Sequence, residues 1–146
     1  MDELDIRLLQ ELQIDGRVSV SQLSEKLNLS RPSVSDRIRK LQDKGVITSF
    51  KATVSSAAIG RPISVIIQVS DLNLHHRKFE EIITGDPDIF EYFRVTGEAC
   101  FFLKVSLASI DELTNLVDRL SPYGNLKTSI VLSSSDSLRP MLPPAK

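Results

Sequence analysis

The side chains in this chain with most chemistry to offer are Arg31, Ser33, Ser35, Arg37, Arg39, Lys40 and Lys44. They bring guanidinium, ammonium and hydroxyl groups but no paired base or acid, a set suited to binding phosphates and base edges rather than to breaking bonds. At helical spacing Ser33, Ser35, Asp36, Arg39, Lys40 and Asp43 share an outer arc with Arg37 on its flank, while Val34, Ile38 and Leu41 turn inward. Ser33, Ser35 and Arg39 suit base edges in a major groove. Arg31, Lys40 and Lys44 suit phosphates, which position a protein without specifying sequence. Arg37 keeps two readings open, a DNA contact or a bond to carbonyls or acids inside the domain. Arg17, upstream, is placed to reach one more phosphate.

These groups need a rigid carrier, and the local signals supply one. Ser30 reads as an N-cap with Pro32 in the first turn, where a missing N–H does no harm, and Gly45 stops the helix. Before it, Ser19 and Gln22 have capping-box spacing, Val20, Leu23 and Leu27 form a buried stripe, and Asn28 sits where a left-handed residue is wanted, with Leu29 plugging the turn. Asp2 to Gln13 reads as an earlier amphipathic helix with Leu4, Leu8, Leu9 and Leu12 on one face. The stretch from Val18 to Val46 is therefore a helix-turn-helix. Val46 to Thr53 alternates weakly and reads as a strand leaving this domain. Ser55 to Pro62, rich in small residues, reads as a boundary.

Beyond it the pattern becomes regular. Ile63 to Ser70, Ile89 to Thr96, Ala99 to Leu107 and Leu126 to Ser133 read as strands, with helices over His75 to Thr84 and Ile110 to Leu120. The order β-α-β-β-α-β predicts a ferredoxin-like unit, one antiparallel sheet with both helices on one face. The fold class is α+β. We divide the chain into a helix-turn-helix domain (1–50), a strand and linker (51–62), a ferredoxin-like domain (63–135) and a loose, proline-containing tail (136–146). Ile63, Val65, Ile67, Phe101 and Leu103 are candidates for sheet-to-sheet pairing between subunits.

A net charge of −1 over 146 residues argues against a nucleic-acid binder, but the average conceals an asymmetry. Residues 1–30 carry three basic and six acidic side chains, whereas residues 31–51 carry six basic and two acidic. That local excess is what phosphate neutralisation needs. No apolar run approaches the ~20 residues of a membrane span. The acidic start does not resemble a signal peptide. Cys100, the single cysteine, excludes an internal disulfide framework and fits a reducing compartment. We expect a cytoplasmic, nucleoid-associated protein.

Elsewhere the chemistry is sparse. His75 and His76 are adjacent, so on a helix they point apart, and no ligand set with metal spacing surrounds them. A solvated helix start is the reading, with no metal and no cofactor expected. Phe90, Phe93, Phe101 and Phe102 read as sheet core and interface rather than as a stacking platform for single strands. No Ser/His/Asp set, phosphate-cradling glycine loop or coupled acid pair is present, so the chain does not read as an enzyme.

With both halves placed, the chain resembles the Lrp/AsnC (feast/famine) family of transcription regulators. LDIRLLQELQIDGRVSVSQLSEKLNLS is similar to the family's opening, VSDRIRKLQDKGVI to its recognition helix, and RVTGEACFFLKV to its third-strand motif "V-[ST]-G-x-x-D-[YF]-[LM]-L-[KR]-V". The resemblance implies a winged-helix-like N-terminal domain, a ligand-sensing C-terminal domain, and homodimers that assemble into octamers or larger discs on double-stranded DNA. It implies sequence-specific regulation modulated by a small effector such as an amino acid. By resemblance the effector would lie between subunits at Gly97, Glu98, Ala99 and Cys100, with Ile110, Ser129, Ile130 and Val131 helping to line the site. Read from the residues alone, the Gly97 turn is equally a tight hairpin. Cys100 stands where the motif has an aspartate, and a thiol is a poor acceptor for an ammonium group. A second reading therefore stays open: a nucleoid-architectural protein that bends or wraps DNA with little sequence choice and no amino-acid effector.

Overall fold

The N-terminal helices start where their caps require. In the computed structural model, which describes residues 1–134 and 139–144, α1 spans Glu3–Ile14, α2 Val20–Leu27 and α3 Arg31–Asp43. Asp2 caps α1 reciprocally with Asp5, whose backbone N–H donates to Asp2 Oδ1 at 2.8 Å. Ser19 and Gln22 form the second capping box. Asn28 ends α2 in the left-handed conformation (φ 54°), and Ser30 caps α3 ahead of Pro32. The three helices bury Leu8, Leu9, Leu23, Leu27, Val34 and Leu41, with Leu12, Val20 and Ile38 packed around them. At about 1.5–3 kcal/mol per fully buried aliphatic side chain, this small core suffices to fix the angle between α2 and α3.

The strand expected over Val46 to Thr53 does not form. Val46 and Ile47 donate their N–H groups to the Leu41 carbonyl at 2.9 and 3.1 Å, and among the described residues the segment beyond has no neighbouring strand with which to build a ladder. Of the tail expected to be loose over 136–146, residues 136–138, 145 and 146 lie outside the described residues. In its described part Met141 is held: its N–H donates to Gln13 Oε1 at 2.8 Å and its carbonyl accepts from Gln13 Nε2 at 3.0 Å. A carboxamide offers one donor and one acceptor side and so matches a single residue's backbone groups.

The chain divides into two compact units, Met1–Thr53 with the described residues 139–144, and Val54–Ser134. In the second, β1 (Ile63–Ser70), α4 (His76–Gly85), β2 (Ile89–Arg94), β3 (Phe101–Leu107), α5 (Ile110–Leu120) and β4 (Asn125–Ile130) follow the expected order. The sheet order is β2-β3-β1-β4, with every pair antiparallel. Val69 pairs with Phe101, Ile67 with Leu103 and Val65 with Val105. These side chains pack against Phe79 and Ile83 of α4 and Leu113, Leu116 and Leu120 of α5. Val65, Ile67, Phe101 and Leu103, offered above for pairing between subunits, are thus buried within the chain, and Ile63 packs against the same core. Period-two alternation separates two faces but does not say which one the helices cover. The open face carries Ile66, Phe93 and Phe102.

Candidate functional site

The inward stripe of α3 leaves its outer face free. Val34 and Leu41 are buried, while Arg31, Ser35, Arg39, Lys40 and Lys44 are exposed and Ser33 is half-buried. On this face Asp36 takes both cations one turn on, with Arg39 Nη2 at 2.5 Å and Lys40 Nζ at 2.7 Å. The bond from Lys40 and then that from Arg39 hold the Asp36 carboxyl below the usual carboxylate range. Arg39 and Lys40 remain 72% and 64% exposed, so the bonds orient them without removing them from solvent. Arg17 lies exposed in the turn before α2.

Arg37 behaves differently. Its Nη1 donates to Asp2 Oδ1 and Oδ2 at 2.9 and 2.8 Å and to Asp5 Oδ1 at 2.6 Å. Of its two readings the geometry supplies the internal one, a clamp from α3 to the start of α1. The bond from Asp2, then that from Asp5, raises the guanidinium's pKa, while the Asp5 N–H and then Arg37 lower that of Asp2. A hollow of about 330 Å³ lies beside this clamp, lined by Asp2, Asp5 and Asp36 as well as Arg37, Lys40 and Lys44.

The second unit holds a larger hollow, about 550 Å³, between the β2–β3 turn and the start of α4. Gly97 turns the chain at φ 116°, a left-handed conformation that favours glycine. Val95 N–H donates to the Cys100 carbonyl at 3.0 Å, and Cys100 N–H donates to the Val69 carbonyl at 2.7 Å, tying the turn to the sheet. Gly97, Ala99 and Cys100 line this hollow and Glu98 does not. Nor do Ile110, at the start of α5, or Ser129, Ile130 and Val131, on or just after β4. β4 lies on the opposite edge of the sheet from β2, two strands removed from the turn.

Arg94, His75 and His76, which sequence reasoning did not assign to this place, line it. The two imidazoles do not point apart: His75 is the extended N-cap of α4 rather than a helical residue, and the ring centroids stand 4.1 Å apart. Among the described residues no group of three or more His, Cys, Asp and Glu could hold a metal ion, and no helix is long and apolar enough to cross a membrane.

Comparison with known proteins now decides the class. Residues 1–42 match the AsnC-type helix-turn-helix domain, and residues 64–141 match the Lrp/AsnC ligand-binding domain. The chain belongs to the Lrp/AsnC family. It is 31% identical to the HTH-type transcriptional regulator LrpC of Bacillus subtilis over 94% of this chain and 95% of that protein. The structure of B. subtilis LrpC superposes with a TM-score of 0.88 over 94% of this chain and 99% of that one, at 30% identity. Mycobacterium tuberculosis LrpA, called a leucine response regulatory protein, gives 0.79 at 27% identity over 98% and 100%. The Neisseria meningitidis regulator NMB0573, crystallised with L-Met, gives 0.88 at 24% identity over 97% and 96%, a likeness of fold. This Lrp/AsnC protein is thus a DNA-binding transcriptional regulator with a ligand-binding domain, and not an enzyme.

Proposed function

We propose that the protein binds double-stranded DNA sequence-specifically, with α3 in the major groove. The observation that carries this is the exposed outer face of α3, where Ser35, Arg39 and Lys40 stand on a helix capped at Ser30 and anchored by Val34 and Leu41. Ser33, Ser35 and Arg39 read base edges. Arg17, Arg31, Lys40 and Lys44 take phosphates, and Arg37 ties α3 to the start of α1.

The active species is a homodimer or a larger assembly, up to an octamer or beyond. Two supports are the exposed side chains of Ile66 (38%) and Phe93 (46%) on the open face of the sheet and the unpaired segment after Ile47. A dimer would place two copies of α3 on half-sites about 34–36 Å apart. A small effector occupies the hollow at Gly97, Ala99 and Cys100 and acts by binding two assembly states unequally, since equal affinity would shift nothing. The site of action is the cytoplasmic nucleoid, where the DNA is.

The test is selection of duplexes from a random library, followed by titration of the selected sequence with wild type and Arg39→Ala. Loss of discrimination in the variant supports base reading by α3. Failure of the library to converge on any sequence favours the architectural reading, in which DNA is bent with little sequence choice.

A further inference from the structure

The hollow between α4 and the β2–β3 turn has an unusual charge balance for a site meant to hold an amino acid. Arg94 ends β2, opposite Phe101 on β3, and has no carboxylate partner among the described residues. His75 and His76 stand with it, and no acidic side chain lines the hollow. The neighbouring Cys100 supplies a neutral thiol, and the one nearby carboxylate in the turn, Glu98, lies outside the lining. Leu72, Leu74 and Phe101 give the remaining wall an apolar surface.

An ammonium group seated here would lie beside a guanidinium and find no carboxylate in this chain's lining in return. A carboxylate would meet a planar fork of donors that nothing else occupies. His76 adds to the match: burial first, then the charge of Arg94, hold its pKa below the ordinary imidazole value, with His75 and Arg77 acting in the same direction and Glu80 against. A neutral imidazole still offers one N–H donor without a second full charge. A single guanidinium over an apolar wall suits one negative charge, not the two of a phosphate monoester.

We propose that this hollow takes a small organic monocarboxylate with an apolar body and no ammonium group, of the α-keto acid type. Its carboxylate sits on Arg94 with a bond from His76, and its body lies against Leu72 and Leu74. This rests on the reading of the hollow as the effector site and names the ligand class that site selects.

The experiment is thermal unfolding of the full chain with pyruvate, α-ketoisocaproate and phenylpyruvate, each beside its matching amino acid, alanine, leucine or phenylalanine. Two variants accompany the wild type. Arg94→Gln removes the charge at an exposed position without a partner, and Thr96→Trp fills the exposed rim of the hollow against any occupant. The expected result is a rise of several degrees with at least one keto acid at about 100 times its dissociation constant. That rise is lost in both variants, with affinity at least tenfold weaker in Arg94→Gln, and no amino acid produces it. Amino acids that stabilise the wild type and Arg94→Gln alike but not Thr96→Trp would overturn the ligand class while keeping the hollow as the effector site. A keto-acid shift that survives Thr96→Trp would place the ligand elsewhere and overturn the proposal. No shift with any of the six would overturn the class and the effector-site reading together.

Discussion

Two hollows among the described residues hold a guanidinium each and use it in opposite ways. Beside α1 and α3, Arg37 is bonded to Asp2 and Asp5. Beside α4 and β2, Arg94 has no carboxylate among the described residues. A guanidinium held by carboxylates from another helix, as Arg37 is, ties elements together. A charge left unpaired next to an apolar wall is available to a ligand. The difference teaches that the number of basic residues around a cavity says less about binding than whether their partners are already present.

The comparison can be broken at the packing below each hollow, and the largest effect is expected there. Phe101 is fully buried and forms part of the second hollow's wall. Phe101→Ala should cost about 3–5 kcal/mol of stability, visible as a lower denaturant midpoint. A change below 1 kcal/mol would mean that the hollow is not founded on the sheet core. Next in size is Arg39→Ala, which should weaken binding to a selected duplex by roughly 1–3 kcal/mol and relax the preference at one base position. An unchanged footprint and affinity would remove Arg39 from the reading face.

The pairing itself is tested by matched substitutions. Arg37→Ala leaves Asp2 and Asp5 facing each other, so the melting temperature should fall by a few degrees. Arg94→Ala has no partner to abandon and should leave the ligand-free melting temperature almost unchanged. Equal losses in the two variants would erase the distinction between the hollows. The smallest effect is in pH. Because the Asp5 N–H and Arg37 lower the pKa of Asp2 in the folded chain, its contribution is complete above the unfolded value of 3.8 and is lost as pH falls through the lowered folded value. The difference in melting temperature between wild type and Asp2→Asn should therefore hold steady above about pH 5 and close below 3.8. A difference that persists at pH 2 would show that the clamp does not depend on the Asp2 charge.

How much was legible in advance follows from the range of the interactions. The caps at Ser19 and Ser30, the left-handed Asn28 and the inward stripe Val34, Ile38 and Leu41 are fixed by neighbours within four or five residues, so the reading face of α3 could be laid out from the sequence. The β-α-β-β-α-β order was legible for the same reason. Val46 to Thr53 misled because alternation describes a strand's faces but not whether a partner strand exists. The Arg37 clamp needs side chains 35 positions apart, and sequence spacing could only leave its role open. Within one chain the turn near Gly97 could be located in advance, whereas β4, with Ser129 and Ile130, lies on the far edge of the sheet from β2. Arg94 and His76 carried no local signal because a strand end and a helix start meet at the hollow only after folding.

The most direct measurement is binding of the full chain to its selected duplex and to a scrambled duplex of equal composition across a salt series. The account predicts an affinity ratio of at least about 10³ that persists as salt rises, because base contacts by α3 add to a shared phosphate contribution. Equal affinities that fall together with salt would contradict it, and would leave a protein that holds DNA by its backbone alone.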